Sequence, residues 1–326
     1  MHIVFLRGSV PPTNEHPEKL YYKTVEECED MWTQLFYYLL QKSGSQGELL
    51  YVNGSRHLKV NNFFQERWVC SLKDTKISSM PDLIICRGGF PYYDDFVKRF
   101  PKAKKIYYGA GKRFFPQTSY TNYDLFLVDS ETQLKKVKAK GKKNVKLLIK
   151  PAATLFKPMN IPKKYDICFM ANASTSRIKR HELILKSFAR SRYSILNIGN
   201  TDKKFIRMAK ELKVNIEWAG WHLRKELPKL INQCRVGICC STNYDSCPRV
   251  IPEYLACNVP VIATKNINFW HKKYINKNTG VLVDDNKLIS GVDYCIAHKI
   301  KPYQYYNKNL SMKKAARYLL GLIKEL

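Results

Sequence analysis

Residues 245–264 of this chain read Asp245-Ser-Cys-Pro-Arg-Val-Ile-Pro-Glu253-Tyr-Leu-Ala-Cys-Asn-Val-Pro-Val-Ile-Ala-Thr264, and they follow an apolar run at residues 235–242. The apolar run is too short for a helix and predicts a buried strand. Pro248 suits a first helical turn, because the amide that proline lacks would be unpaired there, and the helix is predicted to end near Cys257. The β-branched residues 259–264 predict the next strand, so the stretch indicates an α/β sheet.

Two carboxylates of this stretch lie around the predicted helix start. Asp245 is in the loop before the helix, and Glu253 is within it, eight positions later. In open α/β sheets, anionic ligands bind where a helix N-terminus opens beside the carboxyl end of a strand, because free N–H groups point outward there. A single Asp before a helix is usually a cap and a single helical Glu is usually solvated. The pair in this setting predicts a ligand crevice.

This pair and the residues after it resemble a signature of the retaining, nucleotide-sugar-dependent glycosyltransferases of family 4. That family usually has Glu, seven residues, a second Glu, and then Ala-Met-Ala-Cys-Gly-x-Pro-Val-Ile. The present chain has Asp245, then Glu253, then Tyr-Leu-Ala-Cys-Asn-Val-Pro-Val-Ile. The resemblance extends over about residues 149–285. It implies an α/β fold of the GT-B class, in which two Rossmann-like, doubly wound domains face a cleft.

The resemblance also implies how the chain is divided. Lys150-Pro-Ala-Ala-Thr-Leu-Phe-Lys-Pro158 resembles the interdomain segment of the family. Residues 1–150 would form an acceptor-binding Rossmann-like domain, and residues 151–310 would form the domain that binds the nucleotide-sugar donor. Residues 311–326 are amphipathic and are expected to form a final helix that returns to the first domain.

Residues at positions that match the family receive roles from the resemblance. Asp245 would contact the donor sugar, and Glu253 would accept hydrogen bonds from the ribose hydroxyls. The loop at Gly220-Trp221 stands where the family binds the base. The other candidates are the donor-binding residues Ser246, Cys247, Pro248 and Arg249 around the helix start, and the cleft-loop residues Gly8 and Ser9.

The cations expected on the donor diphosphate follow the strand predicted at residues 165–170. The family has an Arg in this loop and a Lys five residues later. Lys179 matches the Lys, while Ser174 occupies the position of the Arg. Arg177, Arg180 or Arg249 would then replace that arginine. Lys179 and Arg177 are the catalytic candidates beside Asp245.

The implied reaction is the retaining transfer of a sugar from a UDP- or GDP-linked donor to a glycan or lipid-linked acceptor. The sequence has no Asp-x-Asp motif, so this scheme requires no divalent metal and no cofactor besides the nucleotide sugar. The acceptor hydroxyl would lose its proton to the leaving phosphate. Uracil and guanine donors remain open, because recognition of the base by the main chain leaves little side-chain signature.

The charge of the chain favours an anionic partner. Its 56 basic and 27 acidic residues give a formal net charge of +29. Such a field attracts nucleotides, anionic lipids, nucleic acids or acidic glycans without choosing among them. One alternative is a basic protein that binds nucleic acid or another polyanion, although the absence of zinc-finger, helix-turn-helix and RRM signatures makes nucleic acid the less favoured partner. A catalytically degenerate GT-B domain is the other alternative.

Residues 135–150 contain eight lysines. A run of this kind is usually a solvated face, and contact with an anionic membrane surface is the second interpretation.

The cysteines and the N-terminus indicate in which compartment of the cell the protein is expected. None of the ten cysteines forms a C-x-x-C pair and most lie in apolar runs, which favours buried reduced thiols over zinc ligands. The N-terminus has no charged segment followed by a long apolar one, and no apolar run approaches about 18 residues. We therefore expect a cytoplasmic protein without a signal peptide or a membrane span. His181 opens a helix and is expected to have a local role rather than a catalytic one.

Outside the signature, apolar runs predict further elements. Strands are expected at residues 2–6, 82–86, 105–108 and 124–128, and a packing helix is expected at residues 24–42. Residues 49–72 show neither the period of a helix nor that of a strand. In the second half, strands are predicted at 165–170, 193–198 and 214–218, with helices at 206–212 and 224–233. The basic, glycine-rich residues 109–113 fail both the Walker and the dinucleotide patterns and are expected to form an acceptor-side surface.

Overall fold

The structure is a computed structural model of the 326-residue chain. It describes residues 1–8, 28–52, 58–60, 65–69, 72–88, 92–109, 120–242, 245, 247–266 and 270–326. The chain divides into two compact units. The first consists of Met1–Ile149 together with Met312–Leu326, and the second consists of Lys150–Ser311. The C-terminal segment therefore belongs to the first unit.

Strands and helices alternate along both units. The described strands are β1 His2–Gly8, β2 Gln46–Val52, β3 Leu58–Val60, β4 Gln65–Val69, β5 Leu83–Arg87, β6 Lys104–Gly109, β7 Leu125–Val128, β8 Val145–Leu147, β9 Tyr165–Met170, β10 Ile195–Ile198, β11 Ile216–Gly220, β12 Cys234–Cys239, β13 Val261–Thr264 and β14 Gly280–Val283. The described α-helices are α1 Met31–Ser43, α2 Tyr92–Lys98, α3 Glu131–Ala139, α4 Ser176–Lys179, α5 His181–Ser187, α6 Lys203–Glu211, α7 Leu227–Asn232, α8 Val250–Ala256, α9 Leu288–Ala297, α10 Tyr303–Asn309 and α11 Met312–Lys324.

The sheet of the first unit has the strand order β3-β4-β2-β1-β5-β6-β7-β8. Its described strand pairs are parallel except for β3 with β4. The strands β1, β5 and β7 are nearly continuous buried runs, as expected of a parallel sheet covered on both faces. The strands predicted for this half correspond to β1, β5, β6 and β7.

Helix α1 covers the first sheet together with α11. The Asp30 carboxylate accepts a hydrogen bond from Thr33 N at 2.8 Å, and this cap fixes the helix start at Met31, later than the prediction of residue 24. Helix α11 packs on α1, and the Tyr318 hydroxyl donates to Leu147 O at 2.9 Å. Strands β2, β3 and β4 occupy the region whose sequence showed no clear period, because β3 and β4 are too short to display one.

The sheet of the second unit has the order β11-β10-β9-β12-β13-β14, and its described pairs are parallel. The chain runs from β9 outward to β11 and then returns to the other side of β9 with β12. Such a reversal opens a crevice at the carboxyl ends of the two neighbouring strands. The loops after β9 and β12 therefore flank the place where a ligand is expected.

Several elements of the second unit differ in extent from their predictions. Helix α8 begins at Val250, after the predicted start near Pro248. The helix predicted at residues 224–233 is divided into a 3-10 turn, Arg224–Glu226, and the helix α7. Pro228 explains the division, because a residue without an amide hydrogen is tolerated only in the first turn of an α-helix.

Tyr254 determines how α8 packs on the sheet. Its side chain is fully buried, and its hydroxyl accepts from Met170 N at 3.0 Å and donates to Cys168 O at 3.2 Å. The ring lies against Gly237 of β12, where a Cβ atom would be 2.3 Å from a ring carbon. Only glycine at position 237 leaves room for this ring, so these two residues fix α8 relative to both β9 and β12.

We predict that Gly237→Ala lowers the free energy of unfolding of the second unit by about 2 kcal/mol or more, because the buried ring of Tyr254 has no space into which to move. Chemical denaturation followed by circular dichroism measures this loss. In a Tyr254→Leu background the same substitution is expected to be less destabilising, because the clashing ring is gone. An equal loss in both backgrounds would contradict this account of the packing.

Candidate functional site

Two of the predicted site residues meet at the carboxyl edge of the second sheet. Lys179, the last residue of α4, forms an ion pair with Asp245 in the loop after β12. Ser241 Oγ donates to the same carboxylate oxygen at 2.9 Å and accepts from Lys179 Nζ at 3.3 Å. The side chains of Lys179 and Asp245 are 22% and 16% exposed, so a ligand in solvent can reach the pair.

The loops that carry this pair are also joined through the main chain. Thr242 N donates to Ile178 O at 2.8 Å, and the strands before the two loops, β9 and β12, are hydrogen-bonded neighbours. Because the carboxyl ends of adjacent parallel strands lie at the same edge, two residues 66 positions apart come into contact. The sequence indicated each residue separately, and the sheet order brings them together.

The second predicted carboxylate, Glu253, is 4% exposed on α8 and forms a different ion pair. Its Oε1 accepts from Nη2 of Arg224 at 2.7 Å, and the Arg224 guanidinium lies 5.2 Å from the ring centroid of Phe156. Arg224 follows the loop at Gly220-Trp221, so this ion pair connects that loop to α8. Sequence reasoning missed Arg224, which was treated as the first residue of a helix. Its position three residues after Trp221 was the available signal.

The arginines considered for the position of Ser174 differ in what they contact. Arg180, at the left-handed junction of α4 and α5, makes a two-pronged pair with Asp285, with Nη1 2.9 Å from Oδ1. This hydrogen bonding raises the pKa of Arg180. Arg177 and Arg249 are exposed, and neither forms an ion pair with a residue that the structure describes. Arg180 is therefore engaged, whereas Arg177 and Arg249 are available to a ligand.

The remaining donor-site candidates surround the same edge. Gly220 ends β11 with a φ of 77°, and its carbonyl accepts from Gly199 N at 2.8 Å. The next residue, Trp221, is 53% exposed, which is high for a tryptophan. Cys247 and Pro248 are buried ahead of α8, so they support the loop through packing.

Some candidates lie elsewhere or outside the described ranges. Ser174 is exposed in the 3-10 turn Ala173–Thr175. Ser246, Ser9 and residues 110–113 lie outside the described residues. Gly8 belongs to the first unit, where it is buried at the end of β1 in register with Val52.

His181 is a core residue. It is 2% exposed, its ring stacks on Phe205 with centroids 4.9 Å apart, and it meets the Phe169 ring edge-on at 5.0 Å. Burial lowers its pKa. Its aromatic surroundings keep it out of the Lys179–Asp245 cluster.

The described part of the chain has no group of three His, Cys, Asp or Glu side chains arranged to hold a metal ion. Its nine cysteines are buried free thiols. None of the helices in the described ranges has the length and apolar character that crossing a bilayer requires.

The family model for glycosyl transferases group 1 matches residues 151–317, more than half of the chain. The chain belongs to this family. Lys179, Arg224, Asp245 and Glu253 all lie within the matched residues. The predicted resemblance is thus confirmed at the level of the family, and the chain is a glycosyltransferase by family.

Solved structures share the fold of this glycosyltransferase over its whole length. Sucrose-phosphate synthase from Thermosynechococcus elongatus aligns with a TM-score of 0.69 at 12% identity, over 99% of this chain and 98% of that one. The lipopolysaccharide outer core galactosyltransferase WaaB aligns with a TM-score of 0.68 at 13% identity, over 100% of this chain and 99% of that one. Anabaena HepE in complex with UDP aligns with a TM-score of 0.66 at 13% identity, over the full length of both chains. These similarities confirm the predicted α/β fold of the GT-B class. No curated protein matches the sequence significantly.

We predict that Arg224→Met destabilises the second unit by about 3 kcal/mol, because it leaves the Glu253 carboxylate buried without its partner. Glu253→Gln removes the buried charge, so the double variant is expected to be more stable than the sum of the two single losses implies. Urea denaturation of the four proteins measures this coupling. Strictly additive losses would show that the two side chains do not depend on each other.

Proposed function

We propose that this glycosyltransferase moves a sugar from a UDP- or GDP-linked donor to a glycan or lipid-linked acceptor, with retention of the anomeric configuration. The main support is the cluster of Lys179, Ser241 and Asp245 at the carboxyl edge of β9 and β12, inside the residues that match the family. The structures of Anabaena HepE with UDP, and with UDP and glucose, support a nucleotide-sugar donor.

The chemistry of this reaction fits the charges of the site. Breaking the bond between sugar and phosphate places negative charge on the leaving diphosphate. Lys179 and Arg177 on α4 would stabilise that charge, and one preorganised donor is typically worth about 3 kcal/mol. Asp245 would contact the donor sugar, and Glu253 would hold the ribose hydroxyls. The acceptor hydroxyl would pass its proton to the leaving phosphate, so the scheme needs no divalent metal.

We predict that the donor nucleotide stabilises the protein against heat. Ligand at about 100 times its Kd contributes about 2.7 kcal/mol, which shifts the melting temperature by several degrees. Thermal-shift titrations with UDP, GDP and their common sugar conjugates are expected to show this with one nucleotide class. Lys179→Met removes a diphosphate contact and is expected to weaken binding at least about tenfold. Lys210→Met is the matched control, because Lys210 is exposed in the last turn of α6.

Two outcomes would contradict the proposed function. Absence of a shift with any nucleotide, combined with salt-sensitive binding to heparin or an oligonucleotide, would favour a polyanion-binding protein. Nucleotide binding without donor hydrolysis or sugar transfer, unchanged in Asp245→Asn, would favour a catalytically degenerate domain.

We further propose that the enzyme works in the cytoplasm at an anionic membrane surface. Residues 135–146 of the first unit carry exposed lysines that form no ion pair with a described residue, namely Lys135, Lys136, Lys138, Lys140, Lys143 and Lys146. Each lysine near an anionic bilayer contributes about 1 kcal/mol of attraction. A lipid-linked acceptor would be met at such a surface.

We predict that replacing Lys135, Lys136 and Lys138 by Gln weakens binding to vesicles that contain phosphatidylserine by about a hundredfold. Replacement of Lys203, Lys210 and Lys229 by Gln is the matched control, since it removes the same charge from exposed positions of the second unit. Co-sedimentation with vesicles of defined composition measures the difference. Equal weakening by both sets would show that net charge, rather than this surface, governs the binding.

A further inference from the structure

Four side chains form a row across the carboxyl edge of the first sheet. Strand register pairs Arg7 with Tyr51 on one side and with Arg87 on the other, and it pairs Arg87 with Tyr108. Register partners on neighbouring strands project from the same face of a sheet. We call Tyr51, Arg7, Arg87 and Tyr108 the arginine row. Trp32 of α1 covers it, with the Arg87 Cζ atom 4.7 Å from the Trp32 ring centroid.

The first arginine of the row is paired with a carboxylate. Arg7 is 3% exposed and makes a two-pronged ion pair with Asp30, in which Nη2 lies 3.3 Å from Oδ1. Burial alone would lower the pKa of Arg7, and the Asp30 carboxylate more than offsets this and holds it above its ordinary value. The same Asp30 caps α1, so Arg7 has a structural role.

The second arginine of the row is not compensated in this way. Arg87 is half-buried, and its guanidinium makes no hydrogen bond or ion pair with any residue that the structure describes. Its Nε, like that of Arg7, is buried without an acceptor among the described residues. Burial lowers the pKa of Arg87, and the neighbouring charge of Arg7 lowers it further. The carboxylates of Asp30 and Asp129 act in the opposite direction, and each is hydrogen-bonded to another side chain, Asp30 to Arg7 and Asp129 to Tyr108.

The surroundings of Arg87 hold it in one place. The Tyr93 hydroxyl donates to the Arg87 carbonyl at 3.2 Å, and the Trp32 and Tyr108 rings lie with centroids 4.6 Å apart beside the guanidinium. A desolvated cation beside a second cation is unfavourable for the folded protein unless an anion joins it. The features of this position are therefore those of a preorganised receptor for an anion.

We propose that Arg87 binds an oxyanion, a phosphate or a carboxylate, on the acceptor sugar. This inference rests on the proposed function, together with the expectation from the sequence that residues 1–150 bind the acceptor. A guanidinium presents a planar fork that matches phosphate and carboxylate with two parallel hydrogen bonds. Trp32 keeps that fork ordered before the ligand arrives, so little side-chain entropy is lost on binding. The site selects acidic or phosphorylated sugars over neutral ones.

Binding of three probe sugars to the full chain tests this proposal. Glucose 6-phosphate and glucuronate present the two oxyanions, and glucose presents neither. Isothermal titration is expected to show at least one anionic probe bound about tenfold or more tightly than glucose. The tighter of the two identifies the oxyanion. Arg87→Met is expected to reduce its affinity to that of glucose, whereas Arg317→Met, the loss of an exposed charge on α11, is expected to leave it unchanged.

The stability of Arg87→Met gives a second measurement. Replacement of a desolvated cation by an apolar side chain of similar volume is often neutral or stabilising, so the melting temperature is expected to stay the same or rise. If the Met variant does not fold, Arg87→Lys decides the question. It retains the charge without the fork, and several-fold weaker binding of the anionic probe, with glucose binding unchanged, supports the proposal.

Three results would overturn the oxyanion site. In the first, the wild-type protein binds neither anionic probe more tightly than glucose. In the second, Arg87→Met still binds the anionic probe more tightly than glucose. In the third, Arg87→Lys binds the anionic probe as tightly as the wild type does. In each case, a retained thermal shift with nucleotide would leave the proposed function standing. Conversely, anion binding through Arg87 in a protein that binds no nucleotide would overturn the proposed function and not this site.

Discussion

The contact between Tyr254 and Gly237 is the constraint on which the second unit's site depends. Tyr254 follows Glu253 directly, and its hydroxyl is hydrogen-bonded to the end of β9, the strand that leads to Lys179. Its ring occupies the space that a side chain at position 237 of β12 would fill. One buried aromatic side chain therefore sets the distance between α8 and both loops that carry the charged cluster. The packing energy of the buried ring therefore holds the charged side chains in their positions.

The ion pairs at the site suggest how a donor is received. Asp245, Glu253 and Asp285 each have a cationic partner: Lys179, Arg224 and Arg180 respectively. These pairs avoid the cost of an uncompensated carboxylate in a partly buried position. Under the proposed function, a diphosphate, which bears more charge than one carboxylate, would compete for Lys179 and would release Asp245 toward the hydroxyls of the sugar. Donor binding in this scheme is an exchange of partners, so the electrostatic gain is smaller than a count of cations implies.

Sequence alone predicted the α/β class and the strand beside Asp245, and it indicated Lys179, Asp245 and Glu253 separately as candidate site residues. Those signals are local, because each depends on residue types within a short window. The partner of Glu253 was not predictable in this way. Arg224 lies 29 positions away, in the 3-10 turn Arg224–Glu226, which meets α8 only after the sheet has formed. The arginine row has the same origin, since Arg7 and Arg87 are 80 positions apart and are joined only by the register of β1 with β5.

Both units place polar side chains at the carboxyl edge of their sheet, but the cations of the two units differ in how far they are exposed to solvent. The second unit keeps Arg177 and Arg249 exposed, where water and salt screen them and where they attract a highly charged ligand from a distance. The first unit holds Arg87 half-buried against Trp32, where the local dielectric is lower and attraction to an anion in contact is stronger. A buried cation of this kind gives up stability in the free protein for selectivity toward the ligand that neutralises it. Under these proposals the cations of the chain would have two roles: exposed lysines and arginines would attract an anionic ligand, and the ordered Arg87 guanidinium would discriminate between ligands.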